Sequence, residues 1–573
     1  MTNNNGVKGF LGSKHNAANQ QVPHRTTTLQ GGVGYTLTYE EELCNAFTLG
    51  LLRGNFYTDQ EDVIKHSRDL FEKALMDNPV IATKYAIYAA EELGMKLMPT
   101  IWLVYLSTLK DKKLFKRAFP RIIGSNVKLL HDFVDLCRNS DIRPGGIHHQ
   151  KVKGTNRGLG QGLKKVINEL MYNQLNDYNV TRFTGKLEDV CRLTRPEDKV
   201  VKRQNAKGEV YDLDLKQYFE YIFKPKDEPR RLTFERARVL QETIDILQNV
   251  NRTADEFQKA LDNIKVQRLQ MDEIKFTFGK LTTIEKQSVF AYFLPGLRYA
   301  ALVSNLVAIE RAFATNTRKI KKIDPMGSGK YFDQVEVLET NIPKEIIDLV
   351  AKKLASFEDY KASRMLFFGL LTAHEMIITS EWKRALNTTL TQAGKIAFAD
   401  MPEGRTIRCS ADTSGSMTTS VTNSLEAVDV AAYLTAAIAL STGSKAYATA
   451  TSTKTVPLSN DNLIDCAVKI KQTNVGHGTN FETLLQGYAG EDVTIIVTDG
   501  QQSDDMERKW KSLTNKPKGA KLVVWHVIGY PNKISMDPDI IYLKGYNDNL
   551  LKALVNIING KAGQLDAVRN IKI

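Results

Sequence analysis

Asp412-Thr413-Ser414-Gly415-Ser416-Met417 divides the chain into two kinds of sequence. It sets one carboxylate and two serine hydroxyls within a single short stretch. Just upstream, Ile407, Cys409 and Ala411 alternate with more polar residues, which is the period of a strand, and the small residues on the other side suit a loop. The side chains of Asp412, Ser414 and Ser416 can then point to one side of that loop. Hard oxygens converging on one point suit Mg²⁺, Mn²⁺ or Ca²⁺ and suit zinc or copper poorly. In the competing reading Ser414 and Ser416 only cap the next helix. Asp-x-Ser-x-Ser alone recurs by chance in roughly one chain in ten of this length, so residues closer to the carboxyl terminus must decide.

There, Gly478-Thr479-Asn480 offers another hydroxyl in a glycine-rich loop. Val493-Thr494-Ile495-Ile496-Val497 is a nearly continuous apolar run, the look of a parallel strand covered on both faces. It ends in Thr498-Asp499-Gly500, which places a second carboxylate at a strand's carboxyl end, where open α/β sheets bind ligands. Together, Asp412-x-Ser414-x-Ser416, Thr479 and Asp499 resemble the metal-ion-dependent adhesion site of a von Willebrand factor A domain, spanning roughly 405–573. The resemblance implies that Ser414, Ser416 and Thr479 touch a Mg²⁺ ion, or another divalent cation, directly. It implies that Asp412 and Asp499 act directly or through water, with one coordination position open to a partner's carboxylate. It implies no nucleophile and no general base, so the domain is expected to bind rather than catalyse.

A chain of 573 residues is too long for one ordinary core, and 42% hydrophobic with 25% charged residues is the balance of a soluble globular protein. No run of eighteen apolar residues suggests a membrane span, and the amino terminus lacks a secretory apolar region. The five cysteines, Cys44, Cys137, Cys191, Cys409 and Cys466, are scattered, with no CxxC pair, which disfavours structural zinc. A reducing, cytoplasmic setting is expected. The formal net charge of +13 suits a polyanionic partner such as nucleic acid.

Residues 1–35 are rich in Asn, Gln, Gly and Thr and read as a disordered arm. Thr38-Tyr39-Glu40-Glu41 is a capping box, and Leu43, Phe47 and Leu51 come next on one helical face. Thr58 to Glu61 repeats the box, and Pro79 and Pro99 suit helix first turns. Short apolar helices then succeed one another to about Lys395 with no clear hairpin signal. This predicts a helical array over 36–400, of α-solenoid type, followed by the α/β domain over 401–573.

One segment departs from the helical pattern. Ile142 to Asn168 holds Arg143, Lys151, Lys153, Arg157, Lys164 and Lys165, six glycines, the pair His148-His149 and no acidic residue. Open backbone and one-signed charge point to phosphate contacts, and the histidines to base stacking or phosphate. Arg182, Lys186, Arg192, Arg195, Lys199, Lys202 and Arg203 add further cations. Gly327-Ser328-Gly329-Lys330 is not a P-loop, because Asp324 stands where the first glycine belongs and Tyr331 where Ser or Thr belongs. His374-Glu375 lacks the second histidine of a zincin helix.

Several helical stretches resemble the Ro autoantigen family, in which a TROVE module precedes an A-type domain. Gly162-Leu163-Lys164-Lys165-Val166-Ile167 is similar to that family's basic helix start, and Lys186 to Leu193 to the helix after it. Ala301 to Leu306, beyond Arg298, and Ser363-Arg364 resemble two later elements. The resemblance implies a ring of HEAT-like helix pairs closed by a doubly wound α/β domain. Such proteins bind small noncoding Y RNAs on the outer surface and pass single-stranded 3′ ends of misfolded RNAs through the central hole. Carried over, Lys164 and Lys165 are outer-surface contacts, while Arg298 and Arg364 belong to the hole. Leu187 stands where the family often has histidine, so the RNA recognised is expected to differ.

The expected function is therefore a non-enzymatic ribonucleoprotein component acting in RNA quality control or processing. Its expected partners are a Y-like RNA, single-stranded RNA ends, and an exoribonuclease or other protein, with no membrane. The alternative is a metal-dependent protein-interaction adaptor built on the A-type domain. A ribonuclease finds no paired carboxylates or catalytic histidine pair in a setting that would support it.

Overall fold

The computed structural model describes residues 25–28, 30–49, 60–138, 159–204, 208–223, 233–323, 331–363, 365, 367–397, 404–421, 425–458, 462–528, 530, 532–535, 537, 539–545, 550, 554–555, 558 and 568–573.

Helices succeed one another from Tyr39–Leu49 to Ser380–Ala397. Their starts are legible chemistry. Thr38 Oγ1 accepts the Glu41 N–H at 3.3 Å while the Glu41 carboxylate takes the Thr38 N–H at 2.7 Å, which satisfies orphan donors at the first helix. Pro79 opens the helix Pro79–Glu91, where its missing N–H is not needed. Pro99 lies in the first turn of Leu97–Leu106. Leu43 and Phe47 are buried as their spacing predicts, while Leu51 and the start of the second box lie outside the described residues.

Among the described residues two antiparallel strand pairs interrupt the helices, against the expectation of none. β3 (Val200–Gln204) pairs with β4 (Val210–Asp214), and β5 (Ala314–Ile323) with β6 (Tyr331–Thr340), both antiparallel. Val200, Val210 and Tyr211 are exposed and only Val201 and Leu213 pack, half-buried, on the core, so β3 and β4 carry a weak form of the buried alternating face by which a strand is recognised in sequence.

A six-stranded sheet comes next, in the order β13-β11-β10-β7-β8-β9. Its members are β7 (Ile407–Asp412), β8 (Lys445–Thr449), β9 (Thr453–Val456), β10 (Val493–Thr498), β11 (Lys521–His526) and β13 (Ile540–Lys544). All neighbours are parallel except the edge pair β8–β9. Every residue of β7 and β10 is buried. Ile495, Val497, Val523 and Trp525 face the large core shared with the helix Ala427–Thr442. Ile496, Leu522 and Val524 face a second core with Leu485, Met506 and Trp510. Covered on both faces, this is a doubly wound α/β domain.

Both ends of the helical run abut that domain. Ser380–Ala397 packs on Ala427–Thr442, and Tyr39–Leu49 packs on β13. At the second junction the Lys533 ammonium lies 2.8 Å from the Glu41 carboxylate, and Asn45 donates to the Tyr530 carbonyl at 3.1 Å. The helices thus form a ring that the α/β domain closes, with one apolar core continuing from Leu43 through Trp102, Leu306 and Trp382 to Trp525.

The expected arm is corrected for residues 25–35. β1 (Arg25–Thr27) and β2 (Val33–Thr36) form an antiparallel hairpin, and β2 pairs on with β12 (Asn532–Lys533). Composition suggested disorder because the segment buries few apolar side chains. It is ordered instead by backbone pairing to a partner strand about 500 residues away, which no local pattern reports.

Candidate functional site

Strand order places the oxygen cluster. The chain leaves β7 toward β8 on one side and returns as β10 on the other, so the strand order reverses between the parallel neighbours β7 and β10. Crevices at such switch points receive ligands at the strands' carboxyl ends. Val497 lies opposite Ala411 in the register, which brings Asp412 and Asp499 to the same end. A short 3₁₀ turn, Gly415–Thr418, then carries Ser416.

All five sequence-predicted oxygens are buried: Asp412, Ser414, Ser416, Thr479 and Asp499. The Ser414 and Ser416 hydroxyls are 3.3 Å apart. Asp412 accepts the Ser414 N–H at 2.9 Å and the Thr498 hydroxyl at 2.6 Å. Asp499 accepts the Gln501 N–H at 3.0 Å through Oδ1, while its buried Oδ2 has no partner. Burial pushes the Asp412 carboxyl up to about 6. Burial first, and then the Asp412 charge, push Asp499 up to about 7. Two desolvated, mutually repelling carboxylates and an orphaned oxygen beside three hydroxyls form a donor set that fits a small hard cation. Among the described residues no group of three or more His, Cys, Asp or Glu could hold a metal ion, so the candidate set is two carboxylates with three hydroxyls, and all five cysteines are buried free thiols.

One neighbour was missed. The Gln30 side chain donates Nε2–H to Thr479 Oγ1 at 3.2 Å and accepts the Thr479 N–H through Oε1 at 3.1 Å. No sequence spacing announces a contact across 449 positions.

The cationic candidates divide. Arg143, Lys151, Lys153, Arg157 and Arg364, with His148 and His149, lie outside the described residues. The open segment expected to reach Asn168 is corrected at its end, because the helix Gln161–Gln174 already carries Lys164 and Lys165, half-buried and exposed respectively, above the buried Leu163, Val166 and Ile167. Lys186 is half-buried on the neighbouring helix Thr184–Thr194. Leu187 is fully buried, so its position faces the core, while His131 from another helix meets Asp189 at 3.3 Å.

Arg298 is exposed at the start of Tyr299–Ala312 and lines a cavity of about 1150 Å³. Arg203, Arg236, Arg268, Tyr178, Tyr211 and Tyr218 line it too. Two of its arginines are spent on structure: Arg203 donates to the Asn173 carbonyl at 2.9 Å, and Arg236 pairs with Glu273 at 2.6 Å. Arg268 and Arg298 are exposed, and among the described residues their guanidinium groups make no hydrogen bond or ion pair. Arg268 also holds φ at +49°, an uncommon conformation outside glycine. This places unspent cations beside aromatic rings in one concavity. The sequence offered Arg203 and Arg298 separately and gave no sign that they converge.

No family model matches the chain and no curated protein does. Among solved structures it is similar to the crystal structure of the Deinococcus radiodurans Ro (RSR) protein. The TM-score is 0.54 and the identity 14%, over 92% of this chain and 100% of that one. At that identity the likeness is one of fold.

Proposed function

We propose that the chain is an RNA-binding ribonucleoprotein component of the Ro type, working in the cytoplasm without catalysing a reaction. Support comes from a fold shared with a Ro protein over nearly the whole length. The observation that carries the proposal is the concavity lined by Tyr178, Tyr211, Arg268 and Arg298, where among the described residues the Arg268 and Arg298 guanidinium groups make no hydrogen bond or ion pair. Guanidinium groups take phosphates, and tyrosine faces take unstacked bases. Single-stranded RNA ends enter this concavity, and a Y-like RNA lies along the surface carrying Lys164, Lys165 and Lys186. Among the described residues no helix is long and apolar enough to cross a membrane.

In the α/β domain, Ser414, Ser416 and Thr479 with Asp412 and Asp499 hold a Mg²⁺ ion. When bound, the ion supplies a positive centre for an acidic group of a protein partner, such as an exoribonuclease. The chain's own residues fix the geometry: Thr498 and the Ser414 N–H orient the Asp412 carboxylate.

Fluorescence anisotropy with a single-stranded oligoribonucleotide tests the RNA reading. If about four phosphates are neutralised, log K falls against log salt with a slope of about −3. A flat response overturns it. In that case partners that survive nuclease treatment in a pull-down favour the adaptor reading.

A further inference from the structure

The structure assigns Gln30 to the cation site as a latch: we propose that the amino-terminal hairpin and a divalent cation compete for the Thr479 hydroxyl. The inference rests on the cation reading above and adds a residue and a direction of coupling to it.

The contact is two-pronged. The Thr479 N–H needs an acceptor and takes Gln30 Oε1, which fixes the amide's orientation and leaves Nε2–H facing the hydroxyl oxygen. A cation drawn to that oxygen meets the positive end of an amide dipole already lodged there. The hairpin is built to hold the amide in place. The Gly32 N–H donates to the Gln502 carbonyl at 3.1 Å, the Val33 N–H to the Asp504 carbonyl at 3.1 Å, and Gln502 Nε2 to the Val33 carbonyl at 3.1 Å. The Thr28 hydroxyl donates to the same Gln502 carbonyl. Approach at Gly32 is so close that a Cβ there would lie 2.3 Å from that carbonyl oxygen, so only glycine fits.

The hairpin therefore grips the loop after β10, the strand that delivers Asp499. Beyond Thr36 it runs into the capping box at Thr38 that starts the ring's first described helix. A ligand at the cation site is thus mechanically continuous with the ring closure at Glu41 and Lys533.

The test uses the full chain with Mg²⁺ as the probe, comparing wild type, Gln30→Ala and Gly32→Ala. Gln30→Ala removes the amide alone. Gly32→Ala pushes the hairpin off without touching an oxygen ligand. Both are expected to bind Mg²⁺ about tenfold more tightly by calorimetry, within the usual range of site coupling. By reciprocity, saturating Mg²⁺ raises amide hydrogen exchange at Val33–Thr36 in the wild type by about the same factor. Gln30→Ala affinity equal to wild type, or exchange that slows with Mg²⁺, overturns the latch and leaves the cation site standing. No Mg²⁺ uptake by any of the three overturns the cation reading and the latch with it.

Discussion

The oxygen cluster and the arginine concavity are opposite kinds of site. The first gathers its groups at two adjacent strand ends and one loop, buries all of them, and ties Asp412 in place with the Ser414 N–H and the Thr498 hydroxyl. The second is open, and its unspent cations, Arg268 and Arg298, are exposed just beyond the end of one helix and just before the start of another. On the proposed reading, one is a rigid pocket for a small ion and the other a broad landing surface for a polymer. A buried site loses nearly everything when one ligand is removed. An open electrostatic surface loses a share with each charge.

That difference is testable at its sharp end first. Asp412→Ala is expected to weaken Mg²⁺ binding by more than about 100-fold, since even groups behind the ligands typically account for about 10–100-fold. The substitution leaves two donors unmatched, a cost of about 1–3 kcal/mol each that is partly offset by relieving the repulsion on Asp499. The fold survives, as thermal unfolding checks, and affinity for RNA is unchanged. Comparable loss of Mg²⁺ and RNA binding in this variant would erase the division between the two regions. A smaller effect is expected on the ring's outer surface. Lys164→Ala with Lys165→Ala removes one half-buried and one exposed charge, and is expected to lower RNA affinity about three- to tenfold at low salt while sparing Mg²⁺ uptake. Unchanged binding in filter assays would remove these lysines from the interface.

The same contrast governs what the sequence discloses. Asp412, Ser414 and Ser416 are neighbours in the chain, and the apolar run before Asp499 announces a buried parallel strand. The burial of these residues at one end of the sheet was therefore legible in the sequence, and so were the capping box at Thr38 and the helix start at Pro79. Gln30 was not, because its partner lies 449 positions away and nothing near it marks the contact. Arg268 was missed for a related reason: it is an isolated cation at a helix end, and only the packing of several helices brings it toward Arg298. Residues 25–35 were misjudged because their order comes from backbone pairing with Asn532 and Lys533, which side-chain composition does not report. The hairpin β3–β4 escaped because Val200, Val210 and Tyr211 are exposed and only Val201 and Leu213 pack, half-buried, against the core. Short-range chemistry shows in a sequence. Convergence of distant segments does not.

The central claim is that unspent guanidinium groups in the concavity grip single-stranded RNA. The most direct measurement is the salt dependence of oligoribonucleotide binding by the full chain carrying Arg268→Ala and Arg298→Ala together. The account predicts an affinity at least about tenfold lower and a slope reduced in magnitude from about 3 to about 1.5, the share of two phosphates. An affinity and slope equal to wild type would contradict it.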